Sequence, residues 1–177
     1  MKKLTPIENN RSYPVPFIMR EQADWWFRIH SLPDSKRYPE TNEEWEILLL
    51  RHREISNSIL LNGSVCRLTY AQFSGFDFPK AELPHLKWQF YKKIGDNENS
   101  LDTWISDETI WDFQIFKAWI RKRSNDELGM IGFHSTESNS IYFPYNGGAD
   151  IFSLNETLLS NIQKRFSKWR SPLESGL

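Results

Sequence analysis

The sequence contains a single cysteine, Cys66, among its 177 residues. A lone thiol cannot form an internal disulfide, and the four histidines are scattered without the spacing typical of a zinc site. These absences exclude a disulfide-stabilised fold and predict neither a bound metal nor another cofactor. Cys66 lies in a segment where apolar residues alternate, so we expect a buried structural thiol.

Long apolar segments and an excess of charge of one sign are also absent. No stretch approaches the roughly 20 residues that cross a bilayer, and the N-terminus lacks the apolar segment of a secretory signal. Acidic and basic residues number 23 and 22, which leaves a net charge of −1. Proteins that bind nucleic acid usually present a strongly basic face. We therefore expect a cytoplasmic protein that binds neither membranes nor nucleic acid.

Recognisable catalytic motifs are missing as well. The chain has no Gly-x-Ser-x-Gly elbow, no Walker loop and no Gly-x-Gly-x-x-Gly loop. Its paired carboxylates lie at turns and helix starts, where acids are common on a solvated surface. This pattern favours a protein that is not an enzyme.

Large aromatic residues are abundant instead, with 12 Phe, 8 Trp and 6 Tyr. Such rings dominate protein cores, but they also anchor protein interfaces. Both interpretations stay open at this point. If the rings bind a partner, an exposed patch is expected from some of Trp25, Trp26, Trp88, Trp104, Trp111 and Trp119.

The N-terminal third combines an extended arm with two predicted helices. Residues 1–20 contain three prolines and predict an extended arm, and residues 21–30 are spaced as a helix. Thr41 and Glu44 form a capping box that begins a second helix, in which apolar residues recur at three- and four-residue intervals. Asn62-Gly63 supplies its left-handed end.

The period changes to two after Gly63. Residues 64–72 and 87–94 are predicted strands. Residues 110–120 fit either a strand or a helix, and their aromatic and β-branched content favours the strand.

Three short strands and a helix are expected in the C-terminal part. Residues 129–134 and 141–145 form a predicted hairpin, and the Asn146-Gly147-Gly148 turn leads to a third strand at 149–152. A capping box of Ser153 and Glu156 begins a final helix that Pro172 ends. The whole chain, 1–177, is thus predicted to be one α+β domain with a largely antiparallel sheet, N-terminal helices and a C-terminal helix, the helices packed on one face.

Asp150 is the acid that lies in the most apolar surroundings. It follows the glycine pair at the start of a predicted strand, where it could cap the turn through backbone amides. Alternatively, it points into a ligand pocket shared with His134 and Tyr145, with Trp111 or Phe113 as an aromatic wall. Both interpretations remain open, and neither assigns a catalytic residue.

Two segments together resemble a known family. They are Leu32-Pro33-Asp34-Ser35-Lys36-Arg37-Tyr38-Pro39-Glu40-Thr41 and Tyr142-Phe143-Pro144-Tyr145-Asn146-Gly147-Gly148-Ala149-Asp150-Ile151-Phe152, the second followed by Trp169 and the C-terminal Ser175-Gly176-Leu177. This combination resembles a family of small, soluble bacterial proteins classed as a domain of unknown function. Asn146 stands where that family's pattern has Asp. The resemblance implies a bacterial cytoplasmic protein and no particular activity.

The strand–Asn-Gly-Gly–strand unit is also similar to one found in a superfamily that includes immunity proteins of bacterial toxin systems. With the near-zero net charge and the many aromatic rings, it favours a non-catalytic protein-interaction module, adaptor-like or immunity-like, with a protein partner. The alternative is a small-molecule binder or enzyme with a pocket near the Asn146-Gly147-Gly148 turn.

Overall fold

The computed structural model of the protein describes residues 15–22, 25–79, 86–96 and 100–170. Within these ranges the helices are α1 (Pro16–Gln22), α2 (Asn42–Leu60), α3 (Phe113–Ser124) and α4 (Glu156–Arg165). The strands are β1 (Trp26–His30), β2 (Val65–Phe73), β3 (Trp88–Ile94), β4 (Leu101–Ile110), β5 (Met130–Ser135), β6 (Ser140–Tyr145) and β7 (Gly148–Ser153).

The seven strands form one sheet in the order β1-β7-β6-β5-β2-β4-β3, and every pair is antiparallel. β5, β6 and β7 follow one another as the predicted meander. Gly147, in the turn between β6 and β7, has a φ of 101°, a conformation that favours glycine. The α+β class and the antiparallel sheet are therefore confirmed.

One face of the sheet, here called the helix face, carries α2, α3 and α4. α2 packs across β5 and β6, α3 packs against β6, and α4 packs against β7. The side chains of Phe27, Leu68, Phe133, Tyr142 and Ile151 point to this face and join the core beneath the helices. Because these three helices lie over the β5–β7 half of the sheet, no helix of the described ranges covers the β4 and β3 end of that face.

The other side of the sheet is here called the opposite face. Met19 of α1 packs there against Phe143 and Phe152. The prediction that helices pack on one face is thus confirmed for α2, α3 and α4, whereas α1 lies on the other side.

The predicted capping box of α2 is present. The Glu44 amide donates to the Thr41 hydroxyl at 3.2 Å, and the Glu44 carboxylate accepts from the Thr41 amide at 3.2 Å. After the helix, Leu61 and Gly63 adopt positive φ values of 59° and 85°, which turn the chain into β2. The strong local signals at both ends explain why this helix is predictable from sequence.

The helix predicted for residues 21–30 is wrong over its second half, since Trp26–His30 is β1. Phe27 and Ile29 of β1 are buried on the helix face, whereas Trp26, Arg28 and His30 alternate to the opposite face. The segment forms a strand rather than a helix because β7 supplies backbone hydrogen-bond partners along its whole length. Residues 16–20, expected in an extended arm, belong to α1, and residues 1–14 lie outside the described residues.

The strand favoured for residues 110–120 is also wrong, and the helical alternative is correct from Phe113 onwards. The Asp112 carboxylate caps α3 by accepting a hydrogen bond from the Gln114 amide at 2.8 Å. Phe116 and Ile120 are buried at helical spacing. β4, which precedes α3, was not predicted at all, because its acidic residues weaken the apolar alternation.

α4 begins two residues later than its predicted start. Ser153 is the last residue of β7, and its buried hydroxyl is 2.8 Å from that of Ser140. The cap is Asn155, whose side chain accepts from the Leu158 amide at 3.0 Å. Pro172, the predicted end of this helix, lies outside the described residues.

This cap is directly testable. We expect Asn155→Ala to lower the free energy of unfolding by about 1 kcal/mol, because one helix amide loses its acceptor. Asn161→Ala, in the exposed interior of the same helix, provides the control and should not destabilise the protein. Urea unfolding followed by tryptophan fluorescence measures both. Equal effects of the two variants would refute the assignment of the cap.

Candidate functional site

The two sequence segments on which the family resemblance rests lie together at one end of the sheet. The Asn146 amide donates to the Tyr38 hydroxyl at 2.9 Å and to the Asp126 carboxylate at 2.5 Å. Tyr38 donates to the same carboxylate at 2.7 Å, and Arg123 pairs with it at 2.9 Å. An exposed polar network thus ties the β6–β7 turn to the segment before α2 and to the end of α3.

The same network sets the ionisation of Asp126. Burial alone would raise the pKa of this carboxyl, but hydrogen bonds from Tyr38 and Asn146 and the charge of Arg123 hold it below its ordinary value. The carboxylate is therefore an ionised acceptor at neutral pH rather than a proton donor.

Glycine at the two turn positions is required by close backbone contacts. At Gly147 the Arg37 stem would lie 3.4 Å from a Cβ atom, and the φ of 101° already disfavours side chains. A Cβ atom on Gly148 would lie 2.0 Å from the Ile29 carbonyl oxygen. In addition, the Ser31 amide donates to the Gly147 carbonyl at 2.8 Å. The glycine pair lets β1 approach the turn closely, which is a structural role.

Asp150, the main site candidate from the sequence, is buried on the opposite face and ion-paired. Its two carboxylate oxygens accept hydrogen bonds from Arg28 Nε at 2.7 Å and Nη2 at 3.0 Å. Arg28 faces Asp150 directly across the β1–β7 pair. Hydrogen bonding and the Asp150 charge outweigh the burial that would lower the Arg28 pKa, so this pKa is raised. Both carboxylate oxygens of Asp150 are therefore engaged by Arg28.

Tyr145 lies next to this ion pair. The Arg28 guanidinium stacks over the Tyr145 ring with 4.6 Å between its carbon and the ring centroid. Burial raises the pKa of Tyr145, while nearby arginines oppose the shift. The structure therefore brings together two of the predicted site residues, Tyr145 and Asp150.

His134 lies on the same face but away from this pair. It is a cross-strand neighbour of Arg67 and Ile141, two strands from β7. With strands about 4.8 Å apart and a two-residue offset along the strand, His134 and Asp150 lie about 12 Å apart between Cα atoms. Burial, and secondarily the Arg67 charge, lowers the His134 pKa to about 4, and its buried Nδ1 has no hydrogen-bond partner among the described residues.

Trp111, the proposed aromatic wall, lies on the helix face instead. Its side chain is fully buried, its ring stacks on Phe116 with centroids 5.5 Å apart, and its indole Nε1 donates to Asn57 at 2.9 Å. The sheet therefore separates Trp111 from Tyr145 and Asp150.

A buried polar chain on the helix face was not predicted as a unit. His52 Nε2 is 2.7 Å from the Ser31 hydroxyl, and Nδ1 hydrogen-bonds the Tyr142 hydroxyl. All three side chains are fully buried, and burial lowers the pKa of His52 to about 3. Ser31, His52 and Tyr142 come from three separate segments of the chain, so no local sequence pattern predicts their contact.

Neither a metal centre nor a reactive thiol is apparent in the parts of the chain that the structure describes. No group of three or more His, Cys, Asp or Glu side chains there could hold a metal ion. Burial raises the pKa of Cys66 to about 12, so the thiol is protonated and structural, as predicted. No helix in the described ranges is long and apolar enough to cross a membrane.

The eight tryptophans are all buried or half-buried, and none is exposed. Trp119 of α3 is buried beside Phe116 of the same helix, and Trp25 and Trp26 pack against Phe152. Trp88 and Trp104 are half-buried at the β3–β4 end of the sheet. The tryptophans therefore form no exposed patch by themselves.

The surface rings at this end are phenylalanine and tyrosine. An aromatic cluster, defined here as Tyr70, Phe78, Trp88, Phe90 and Trp104, extends from the core to the surface on the helix face. Its neighbouring rings have centroids 5.0–6.3 Å apart. The cluster begins at buried Tyr70 and ends at Phe90, which is 54% exposed. The aromatic cluster thus extends the hydrophobic core past the part of the sheet that the helices cover, and its outer end is exposed to solvent.

β3, which carries Phe90, is the last strand of the sheet. Among the described strands it pairs with β4 alone, so one edge of its backbone is left without a strand. Tyr91 on the same strand is 38% exposed. A groove of about 340 Å³ runs along the strand and is also lined by Arg67, Ile105 and Asp107. Edge strands with exposed rings accept extended peptides.

Taken together, the described residues form an α+β structure with an antiparallel seven-stranded sheet, whose β5–β7 half is covered by helices on one face. The chain belongs to the family DUF3885, a domain of unknown function, whose match spans residues 16–174. No curated protein and no solved structure matches the chain.

Proposed function

We propose that this protein is a non-catalytic protein-interaction module that binds an extended segment of a partner along β3. The single observation that carries the proposal is the aromatic cluster, which reaches the surface on an edge strand, at an end of the sheet that α2, α3 and α4 do not cover. Exposed apolar rings beside a strand edge that no other described strand pairs offer both side-chain contacts and backbone hydrogen bonds to a peptide.

The chemistry of β3 indicates what such a segment contains. Lys87 and Lys93 lie next to and on the strand, no acidic residue occurs between positions 86 and 95, and Asp102 of β4 faces Lys93 across the strand pair. An acidic segment would complement this charge, and apolar side chains at alternate positions would contact Phe90. The partner segment we propose is therefore extended, acidic and partly apolar.

The alternative function, a ligand pocket near the Asn146-Gly147-Gly148 turn, has less support from the geometry. Asp150 is occupied by Arg28 in a buried pair, and His134 lies two strands away. General acid–base catalysis needs its groups within hydrogen-bond reach of one substrate. The polar groups named for that pocket do not meet this condition together.

Site-specific photocrosslinking tests the proposal. A benzophenone amino acid replaces Phe90 in one variant and Ile115 in the control, since Ile115 is similarly exposed, at 55%, but lies on α3. In cells, we expect position 90 and not position 115 to capture one partner, with the crosslink in an acidic, extended segment identified by mass spectrometry.

A synthetic peptide of the captured segment then measures the contribution of the surface. We expect Phe90→Ser to weaken its binding to the purified protein at least about tenfold, as for a buried aromatic anchor. Ile115→Ser should leave the affinity unchanged. Capture of a second copy of this chain, or equal capture at both positions, would refute the proposal.

A further inference from the structure

A second feature, independent of β3, is a groove between the start of α2 and the end of α3. Its volume is about 560 Å³, and small-molecule sites usually measure about 300–1,000 Å³. Ala118, Arg121 and Asn125 line the groove from one side of α3 and its C-terminal cap, at intervals of three and four residues. Pro39 and Trp45 line it from the segment before α2 and from the first turn of that helix. The two helices therefore bring these side chains together around one groove.

Arg121 is positioned by an aromatic ring rather than by a counter-charge. Its guanidinium carbon lies 4.4 Å from the centroid of the Trp45 ring. Among the described residues, none forms a hydrogen bond or an ion pair with this guanidinium. A stacked guanidinium loses little freedom when it forms hydrogen bonds, and its planar fork matches the geometry of a carboxylate. Arg121 is therefore preorganised for an anion that the described residues do not supply.

The charge of the lining indicates which anion fits. Lys122 and Glu127 carry opposite charges, so that together with Arg121 they give the lining a net charge of +1. This balance favours a singly charged carboxylate over a phosphate monoester, whose charge near neutral pH is about −1.5 to −2. The proline, tryptophan and alanine side chains of the lining add apolar contact area for the body of the same ligand.

The exposed polar network described above holds the two sides of the groove together. Tyr38, which donates to Asp126, directly precedes Pro39 in the chain. Asn125 and Glu127 flank Asp126, and the Asn125 amide donates to the Glu127 carboxylate. The network thus fixes the segment before α2 against the end of α3, so the groove is formed before any ligand binds.

We propose that this groove binds a small carboxylic acid with an apolar body. The Arg121 guanidinium donates two parallel hydrogen bonds to the carboxylate while it stays stacked on Trp45. The apolar body of the acid lies against Pro39 and Ala118. This site does not depend on the proposed binding of a partner along β3.

Titration of the full chain with three probes, followed by NMR spectroscopy, tests the site. N-benzoylglycine carries a carboxylate on an aromatic body, N-benzoylglycinamide is its neutral analogue, and acetate lacks the body. We expect N-benzoylglycine to bind saturably and to shift the indole N–H signal of Trp45, which is identified by its loss in Trp45→Phe. The amide and acetate should each bind at least about tenfold more weakly. The proposal is overturned if N-benzoylglycine does not bind saturably, or if either of the other probes binds as tightly.

Variants then locate the binding. Arg121→Gln removes the charge at an exposed position and should weaken the binding of N-benzoylglycine at least about tenfold, through the lost charged hydrogen bonds. Arg121→Lys keeps the charge but loses the planar fork, so its affinity should be intermediate. The control is Arg53→Gln, an exposed arginine of α2 that does not line the groove. Equal affinities of Arg121→Gln and Arg53→Gln would refute the site.

Discussion

Replacing Asp150 with alanine is expected to lower the free energy of unfolding by about 3–5 kcal/mol, because Arg28 is left in the protein interior without its counter-charge. The Asp150 side chain is 3% exposed and the Arg28 side chain 11% exposed. Water therefore cannot replace the two lost hydrogen bonds. Urea unfolding at neutral pH, followed by tryptophan fluorescence, measures the loss.

The matched control is a surface ion pair in the same molecule. Arg165 and Glu54 lie 3.0 Å apart, but their side chains are 58% and 36% exposed. We expect Glu54→Ala to cost less than about 1 kcal/mol, as for exposed pairs in general. If Asp150→Ala costs no more than Glu54→Ala, the buried pair does not stabilise the fold.

A double variant separates the loss of the pair from the burial of a lone charge. Arg28→Met in the Asp150→Ala background removes the unpaired guanidinium and should recover part of the stability. Failure to recover any stability would indicate that Arg28 acts through its stacking on Trp26 and Tyr145 rather than through its charge.

The Arg28–Asp150 pair also illustrates what a sequence cannot provide. Asp150 was recognised as an acid in apolar surroundings, but its partner lies 122 positions earlier in the chain. Arg28 lay in a segment predicted to be helical. Once that segment is interpreted as a strand, its alternation places Arg28 on the opposite face, where a buried acid would need a cation.

Elements with strong local signals were predicted correctly. α2 has a capping box and a left-handed end, and the β5–β7 meander has an Asn-Gly turn. In both cases the residues at the ends of the element determine where it begins and ends. β1 and α3 lacked such decisive signals. Apolar Trp26 obscured the alternation of β1, and aromatic residues in α3 resembled those of a strand, so tertiary packing determined the outcome.

The aromatic residues were the correct feature to examine, but exposure could not be assigned from composition. The chain contains eight tryptophans, and all of them are buried or half-buried in the fold. The exposed rings are phenylalanines and tyrosines, and they include Phe90 and Tyr91 of β3, which lies at the edge of the sheet. The order of the strands, set by long-range pairing, decides which rings face solvent.

The buried chain of Ser31, His52 and Tyr142 leads to the second large effect, which is a loss of stability in acid. Burial holds the pKa of His52 at about 3 in the folded protein, well below its ordinary value of 6.5. Between these two values the unfolded chain binds a proton that the folded protein does not. The free energy of unfolding should therefore fall by about 1.4 kcal/mol for each pH unit below about 6.5.

His134 adds to this slope in the same direction, since burial lowers its pKa to about 4. Both contributions are absent above pH 6.5, where the two histidines are neutral in both states. The window from pH 6.5 to about 5.5 isolates the histidines, because ordinary carboxylates are still almost fully ionised there. Urea unfolding at half-unit steps of pH measures the slope.

Two variants distinguish the titration of His52 from the loss of its hydrogen bonds. His52→Gln should reduce the slope by about 1.4 kcal/mol per pH unit, whatever its stability at neutral pH, because the titrating group is gone. Tyr142→Phe should lower stability at neutral pH, because His52 Nδ1 loses its partner, yet keep the full slope, because His52 stays buried. An unchanged slope in His52→Gln would mean that His52 is protonated in the folded protein. The Ser31–His52–Tyr142 chain would then be charged rather than neutral.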